Sequence, residues 1–149
     1  MAEYYPPIAF HFEASVDGSN GSNAQFQSVS GLEAELEVDS IKEGGLNSYI
    51  HKLPKRMRYP NLVLKRGLLA ESSALLTWVR DQMLSETNLD NFKTKKIEIT
   101  LKNEKGEKVM FWNIKNAFPV KWSVSEFDAQ KNAIVVESIE FAYQSFTVE

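Results

Sequence analysis

Between Leu32 and Asp39 apolar and acidic residues alternate without a break, Leu32, Ala34, Leu36 and Val38 against Glu33, Glu35, Glu37 and Asp39. Successive side chains of an extended chain point to opposite faces, so this pattern specifies a strand with one oily and one acidic face. Gly44 and Gly45 follow. Two adjacent glycines permit a bulge or a sharp backbone bend at a sheet edge. From 46 to 60 no period is sustained, and Pro54 and Pro60 intervene. That segment reads as an extended irregular loop, a feature uncommon inside compact domains and often functional. Asn61 to Arg66 returns as a short strand.

Period two recurs along the chain. Ile8, Phe10, Phe12, Ala14 and Val16 alternate with Ala9, His11, Glu13 and Ser15, and residues 17–23 form a loop of small polar residues. Ile97, Ile99 and Leu101 begin a hairpin that turns at Asn103–Gly106 and returns over Val109–Lys115. Phe118, Val120, Trp122 and Val124 alternate again, 125–132 loops, and Ile134 to Val148 forms a long final strand whose uneven phase implies a kink or bulge. From Ser72 to Leu84 the period is helical: Leu75, Val79 and Met83 share a stripe, Leu76 and Trp78 flank it, and Ser72 or Ser73 caps it. Thr77, Arg80 and Asp81 lie off the stripe and face solvent or a partner. About seven strands and one helix in 149 residues predict a single domain over 1–149. Its class is α+β, mainly antiparallel β: a small β-sandwich or partly closed barrel with one outer α-helix.

Few residues point to chemistry. There is no cysteine, which removes disulfides, thiolate catalysis and cysteine-based zinc sites. His11 and His51 are the only histidines and have no ligand spacing. GxSxG, HExxH and P-loop patterns are absent, and Gly44–Gly45 lacks the following Lys-Ser/Thr that a phosphate cradle needs. The row Glu33, Glu35, Glu37 and Asp39 lies along one strand face, whereas paired glycosidase carboxylates flank the scissile bond from opposite sides. No catalytic residue, metal or cofactor is therefore expected. The start, MAEYYPPIAF, lacks a basic region followed by an apolar run, so no secretory signal is expected. The sequon at Asn20–Ser22 then reads as chance. No segment is apolar enough to anchor in a bilayer.

Charge is distributed unevenly. Residues 33–43 carry five acids and one base, whereas residues 51–66 carry six bases and no acid. Two separately solvated segments are one reading. The other is complementary charge between subunits, with Glu33, Glu35, Glu37 and Asp39 meeting Lys52, Lys55, Arg56 and Arg58, and Gly44 and Gly45 bending the backbone between them. Such charge sets register and docking rate more than affinity. Tyr49 and Tyr59 beside these bases admit base stacking, but the net charge of −3 argues against nucleic acid. Aromatic residues make up 11% of the chain, and a β domain this rich in apolar surface must protect its edges, for which pairing with a neighbour is one route.

Phe26-Gln27-Ser28-Val29-Ser30-Gly31-Leu32-Glu33, Glu43-Gly44-Gly45, Leu53-Pro54 and Leu62–Gly67 occur in the order found in contractile phage tail-tube proteins. So do Trp78, Trp112, the segment Asn116–Trp122 and Glu137. Nearly the whole chain resembles that family and the inner-tube proteins of contractile injection systems. It departs at Lys55, where glycine is frequent, and at Phe118, where tryptophan is. The resemblance implies hexameric rings whose strands join into a continuous inner β-barrel, stacked into a hollow tube inside a contractile sheath. The loop after the glycine pair would reach toward the next ring. Implied partners are further copies of the chain, the sheath protein, the baseplate or spike hub, a tube-terminating cap, and effector cargo or DNA in the lumen. Assembly would take place in the bacterial cytoplasm, in a particle released from the cell or anchored to it. The ring protein of type VI secretion shares the implied fold. A monomeric β-sandwich that binds carbohydrate or peptide is the alternative from a different class.

Overall fold

The computed structural model describes residues 10–17, 24–41, 51–67, 73–84, 93–125, 130 and 135–149. Among them lie β1 (His11–Val16), β2 (Ala24–Phe26), β3 (Ser28–Ser30), β4 (Glu35–Ile41), β5 (His51–Arg58), β6 (Leu62–Gly67), α1 (Ala74–Leu84), β7 (Lys95–Lys102), β8 (Lys108–Val124), β9 (Val136–Ala142) and β10 (Ser145–Val148). Pairing is antiparallel throughout. One sheet runs β2-β1-β7-β8-β9-β6-β3 with β10 added on β8, and β4 and β5 form a separate two-stranded sheet. The mainly antiparallel class with one helix is as the sequence predicts.

The 17-residue strand β8 is the spine. Its first half pairs with β7 on one side and β10 on the other, and its second half pairs with β9. The transfer happens at Asn116, whose φ is +52°, followed by a register shift between Pro119 and Lys121. Proline has no N–H to give a ladder, and a bulge there lets the two halves of one strand pair with different neighbours. The sequence reads Val109–Lys115 and Phe118–Val124 as two strands because this corner resets the alternation. The expected long final strand is likewise divided. It breaks at Tyr143–Gln144, where the Gln144 N–H donates to the Lys115 carbonyl at 3.0 Å, and both pieces remain on β8.

The chain steps from one end of the sheet to the other in a single residue. β2 lies against β1, β3 lies against β6, and between them the Gln27 N–H donates to the Lys65 carbonyl at 2.8 Å. The strand path therefore curls round on itself without being closed by hydrogen bonds, giving a partly closed barrel. Neither three-residue strand is legible by period, being too short to repeat.

Helix α1 starts where Ser73 caps it, its Oγ accepting from the Leu76 N–H at 3.2 Å. Leu75, Leu76, Trp78 and Val79 are buried, and Trp78 stacks on Phe141 with ring centroids 6.0 Å apart. The buried stripe is thus shifted toward Leu76 and Trp78, while Thr77 and Asp81 are exposed as expected. Leu62, Leu64, Ile97, Ile99, Ile114 and Ile139 complete a core in which each fully buried aliphatic side chain contributes about 1.5–3 kcal/mol.

A charged group sits inside this core. Glu137 is fully buried in β9 beside Arg66 of β6, its register partner. Its carboxylate accepts from Arg66 Nε at 3.2 Å and from Trp122 Nε1 at 2.7 Å, with Arg80 Nη2 of α1 at 3.8 Å. Counting Arg66 among the exposed bases of 51–66 is therefore corrected: its side chain is 4% exposed and points inward.

The strand expected at Leu32–Asp39 begins later, at Glu35. Gly31 explains the delay. It has φ +90°, and a Cβ there would lie 2.1 Å from the Asn61 carbonyl oxygen, so the backbone crosses β6 too closely for any side chain. Tyr143 fixes the same point, its hydroxyl donating to the Gly31 carbonyl at 3.0 Å. The irregular loop expected at 46–60 is corrected in part: 51–58 is strand β5, all of it exposed. Residues 42–50, with Gly44 and Gly45, lie outside the described residues, as do 18–23 and most of 125–134.

Two measurements check this account. Breaking a buried ion pair from one side leaves an uncompensated charge, so Arg66→Met should lower stability by about 3–5 kcal/mol in urea unfolding, and adding Glu137→Leu should restore much of the loss. The Tyr143 hydroxyl is pushed up from 10.0 to about 12, first by burial, then by Tyr59 and Glu33. A phenol that ionises less readily when folded contributes stability below pH 10 that is lost as pH rises toward 12. Stability should therefore fall across that window, and more steeply for the parent chain than for Tyr143→Phe.

Candidate assembly surface

The β4–β5 ribbon brings the acidic and basic residues of the sequence together. Glu35 lies opposite Arg58, Leu36 opposite Met57, Val38 opposite Pro54 and Ser40 opposite Lys52. The register shifts by one between Leu36 and Val38, so Glu37 alone faces both Lys55 and Arg56. Lys55 Nζ lies 3.1 Å from Asp39 Oδ1, and Arg56 Nε 3.3 Å from Glu37 Oε2. Both pairs are largely exposed and contribute roughly 0–1 kcal/mol each. Lys52, Arg58 and Glu35 are exposed on the ribbon, and Glu33 is exposed in the segment leading into it. The sequence reading set acids against bases across subunits; within one chain the ribbon already joins two such pairs.

The oily face of β4 is not packed in the core. Leu36 and Val38 on it are about half exposed, and so are Met57 on the same face and Ile41 and Leu53 on the opposite one. Pairing puts Leu36, Val38, Pro54 and Met57 on one face. Met57 is hidden from the sequence period because the bulge places three steps, not an even number, between Pro54 and Met57, while Leu53 lies opposite Asp39 on the other face. That spacing erases the period. A lone two-stranded hairpin is at best marginally stable in water, and this one has apolar side chains open to solvent.

The base of the ribbon is rigid by contrast. Tyr59, immediately after β5, packs against Tyr143 at 5.7 Å and Phe146 at 5.5 Å between ring centroids. Asn61 donates to Glu140 at 3.1 Å. No sequence period could place these rings together, since they meet only after β10 folds back along β8.

Elsewhere the main sheet leaves backbone unpaired. Among the described residues β2, β3 and β10 each carry one paired and one free side, and no strand pairs with residues 120–124 of β8 on the side away from β9. Val120 and Val148 are exposed on these margins. Also among the described residues, no three His, Asp or Glu side chains converge as metal ligands, and no helix is long and apolar enough to cross a membrane.

Comparison with known proteins agrees with this geometry. A chain of the anti-feeding prophage baseplate, solved with 6-fold symmetry, is 27% identical, with TM-score 0.76 over 98% of this chain and 97% of that one. A chain of the sheath–tube complex of an extracellular contractile injection system (PVC) is 29% identical, with TM-score 0.76 over 99% and 93%. Hcp1 from Salmonella typhimurium, at 12% identity, shares the fold alone, with TM-score 0.58 over 95% and 87%. No curated protein sequence matches. Residues 8–147 match the T4-like virus tail tube protein gp19, and the chain belongs to that family of structural tube proteins.

Proposed function

We propose that this chain, as a single tail-tube domain over 1–149, forms hexameric rings that stack into the rigid inner tube of a contractile injection system or phage-tail-like particle. The observation that carries the reading is the β4–β5 ribbon, a projecting hairpin with both faces open and five half-exposed apolar side chains. It gains the cover that a stable hairpin needs when neighbouring copies pack on it. The free margins at β2, β3, β10 and the end of β8 give each ring its second contact. Strand addition between neighbours would join the sheets into one barrel around the lumen and leave no edge open. Lateral contacts close a ring, whereas head-to-tail stacking does not close and yields a filament.

In this reading Lys52, Lys55, Arg56, Arg58, Glu33, Glu35, Glu37 and Asp39 meet adjacent subunits or rings, and Gly44 and Gly45 let the backbone bend. The tube works with a sheath, a baseplate and a terminating cap, and carries effector protein or DNA when the sheath contracts. Sheath and baseplate are supported by the assemblies in which its relatives were solved. The chain is structural, without catalysis or cofactor, and assembles in the bacterial cytoplasm. A monomeric ligand-binding sandwich would present an aromatic cleft, whereas Tyr59, Tyr143 and Phe146 pack on one another.

Removing residues 48–58 should abolish tubes in negative-stain electron microscopy while circular dichroism still reports a folded domain. Tubes of normal length from that variant would overturn the role given to the ribbon. Exposed charge pairs weaken with ionic strength, so tube yield should fall between about 0.1 and 1 M salt. Yield indifferent to salt would mean that the apolar face alone drives stacking.

A further inference from the structure

Strands β3, β6, β9 and the second half of β8 lie side by side, with alternate residues turned away from the core. Register places Ser28, Lys65, Ser138 and Ser123 in one row across them. The next row holds Val63, Glu140 and Lys121. The opposite phase, with Leu64, Ile139, Phe141 and Glu137, is buried. Helix α1 reaches that inner phase, since Trp78 stacks on Phe141 and Arg80 approaches Glu137. The two rows therefore lie on the side of the sheet away from the helix. Both borders of this four-stranded unit, β3 and residues 120–124 of β8, lack a partner strand among the described residues.

Charge on this face is left unspent. Glu140 accepts from Asn61 Nδ2 at 3.1 Å. Lys65 and Lys121 are exposed, and among the described residues neither ammonium forms an ion pair. Two lysines against one glutamate give a positive excess on a chain whose net charge is −3. The polar face across β1 and β7 differs. There Lys102 pairs with Glu13 at 2.9 Å and Lys96 with Glu98 at 3.0 Å, so those charges are balanced within the chain. Apart from the three charges, the two rows hold serines and one valine, with no aromatic ring among them. Channels for single-stranded nucleic acid combine cations with aromatic platforms, which these rows lack. Serine hydroxyls donate and accept hydrogen bonds without offering an apolar pocket.

We infer that this face is a holding wall for acidic protein cargo, whose carboxylates meet Lys65 and Lys121 and whose polar groups bond to the hydroxyls of Ser28, Ser123 and Ser138. The inference rests on the tube reading and adds to it that the face away from α1 turns to the lumen. Strand addition at β3 and at residues 120–124 of β8 would repeat the two rows around each ring. Repetition turns the small excess of one copy into a continuous, weakly positive lining, which holds a polyanion by many weak contacts instead of a few strong ones. Sparse charge without an apolar pocket retains such a segment but does not lock it, so it slides when the tube is driven forward.

The test uses tubes assembled from the full chain and a labelled poly-glutamate peptide. Parent tubes should carry the peptide down on sedimentation and release it between about 0.1 and 1 M salt. Cryo-electron microscopy of the loaded tubes should show the added density inside the bore. Lys65→Glu/Lys121→Glu should form tubes of parent length that retain about tenfold less peptide, because attraction has become repulsion. Lys65→Arg/Lys121→Arg should retain it at the parent level. The neutral Lys65→Ser/Lys121→Ser should show a several-fold loss, and it decides the point should the reversed chain not fold. Equal retention by parent and charge-reversed tubes would overturn the inference. So would single-stranded DNA held more tightly than the peptide, since the cargo would then be nucleic acid. Loss of the tubes from a variant still folded by circular dichroism would also overturn it, since the rows would then meet copies of this chain. Failure of the parent chain to form any tube would overturn the tube reading itself, and this inference with it.

Discussion

One carboxylate ties two neighbouring strands and the helix to β9. Glu137 sits where β9 crosses between β6 and the second half of β8, and it bonds to Arg66 on one side and Trp122 on the other while Arg80 approaches from the helix. An ionised group out of water is tolerable only when it is paired and hydrogen-bonded. The three elements that supply those donors can therefore slide relative to one another only by exposing a bare charge. Apolar packing of Leu64, Ile139 and Phe141 gives the core its depth, but oily surfaces accept many offsets. The buried ion pair accepts one.

That fixed register matters because the body must present its margins and its ribbon in a set relation. The ribbon root is pinned by Gly31 passing under Asn61, by Tyr143 on the Gly31 carbonyl and by the stack of Tyr59 on Tyr143 and Phe146. Beyond that root none of the described residues buries β5, whose residues are all exposed. The molecule thus combines a tightly specified body with an arm whose apolar side chains stand half open to solvent.

Much of this was legible in the sequence, and the failures have physical causes. Strands with one buried face declared themselves by alternation, as at Ile97, Ile99 and Leu101. The helix was found from its stripe, though its centre lay nearer Trp78 than expected because Trp78 meets Phe141. Glu137 made β9 look uneven because a charged residue occupies the buried phase between Val136 and Ile139. Strand β5 was hidden by a bulge that breaks its period and by a proline tolerated at an exposed edge. The charge asymmetry of 33–66 was real, but alternation alone could not tell that its oily partner face would be left open.

The one-residue step at Gln27 has a kinetic corollary. Residues 24–26 and 28–30 are neighbours in sequence, yet they pair with β1 and β6, strands separated by some fifty positions, and the path between those strands runs through β7, β8 and β9. Few of its pairings are local, so loop-closure entropy must be overcome many times before the sheet rewards it, and such topologies mature slowly, on the order of milliseconds to seconds. β10 pairs with residues of β8 some thirty positions earlier in the chain, so a copy that has not yet made that pairing presents margins different from those of the finished fold.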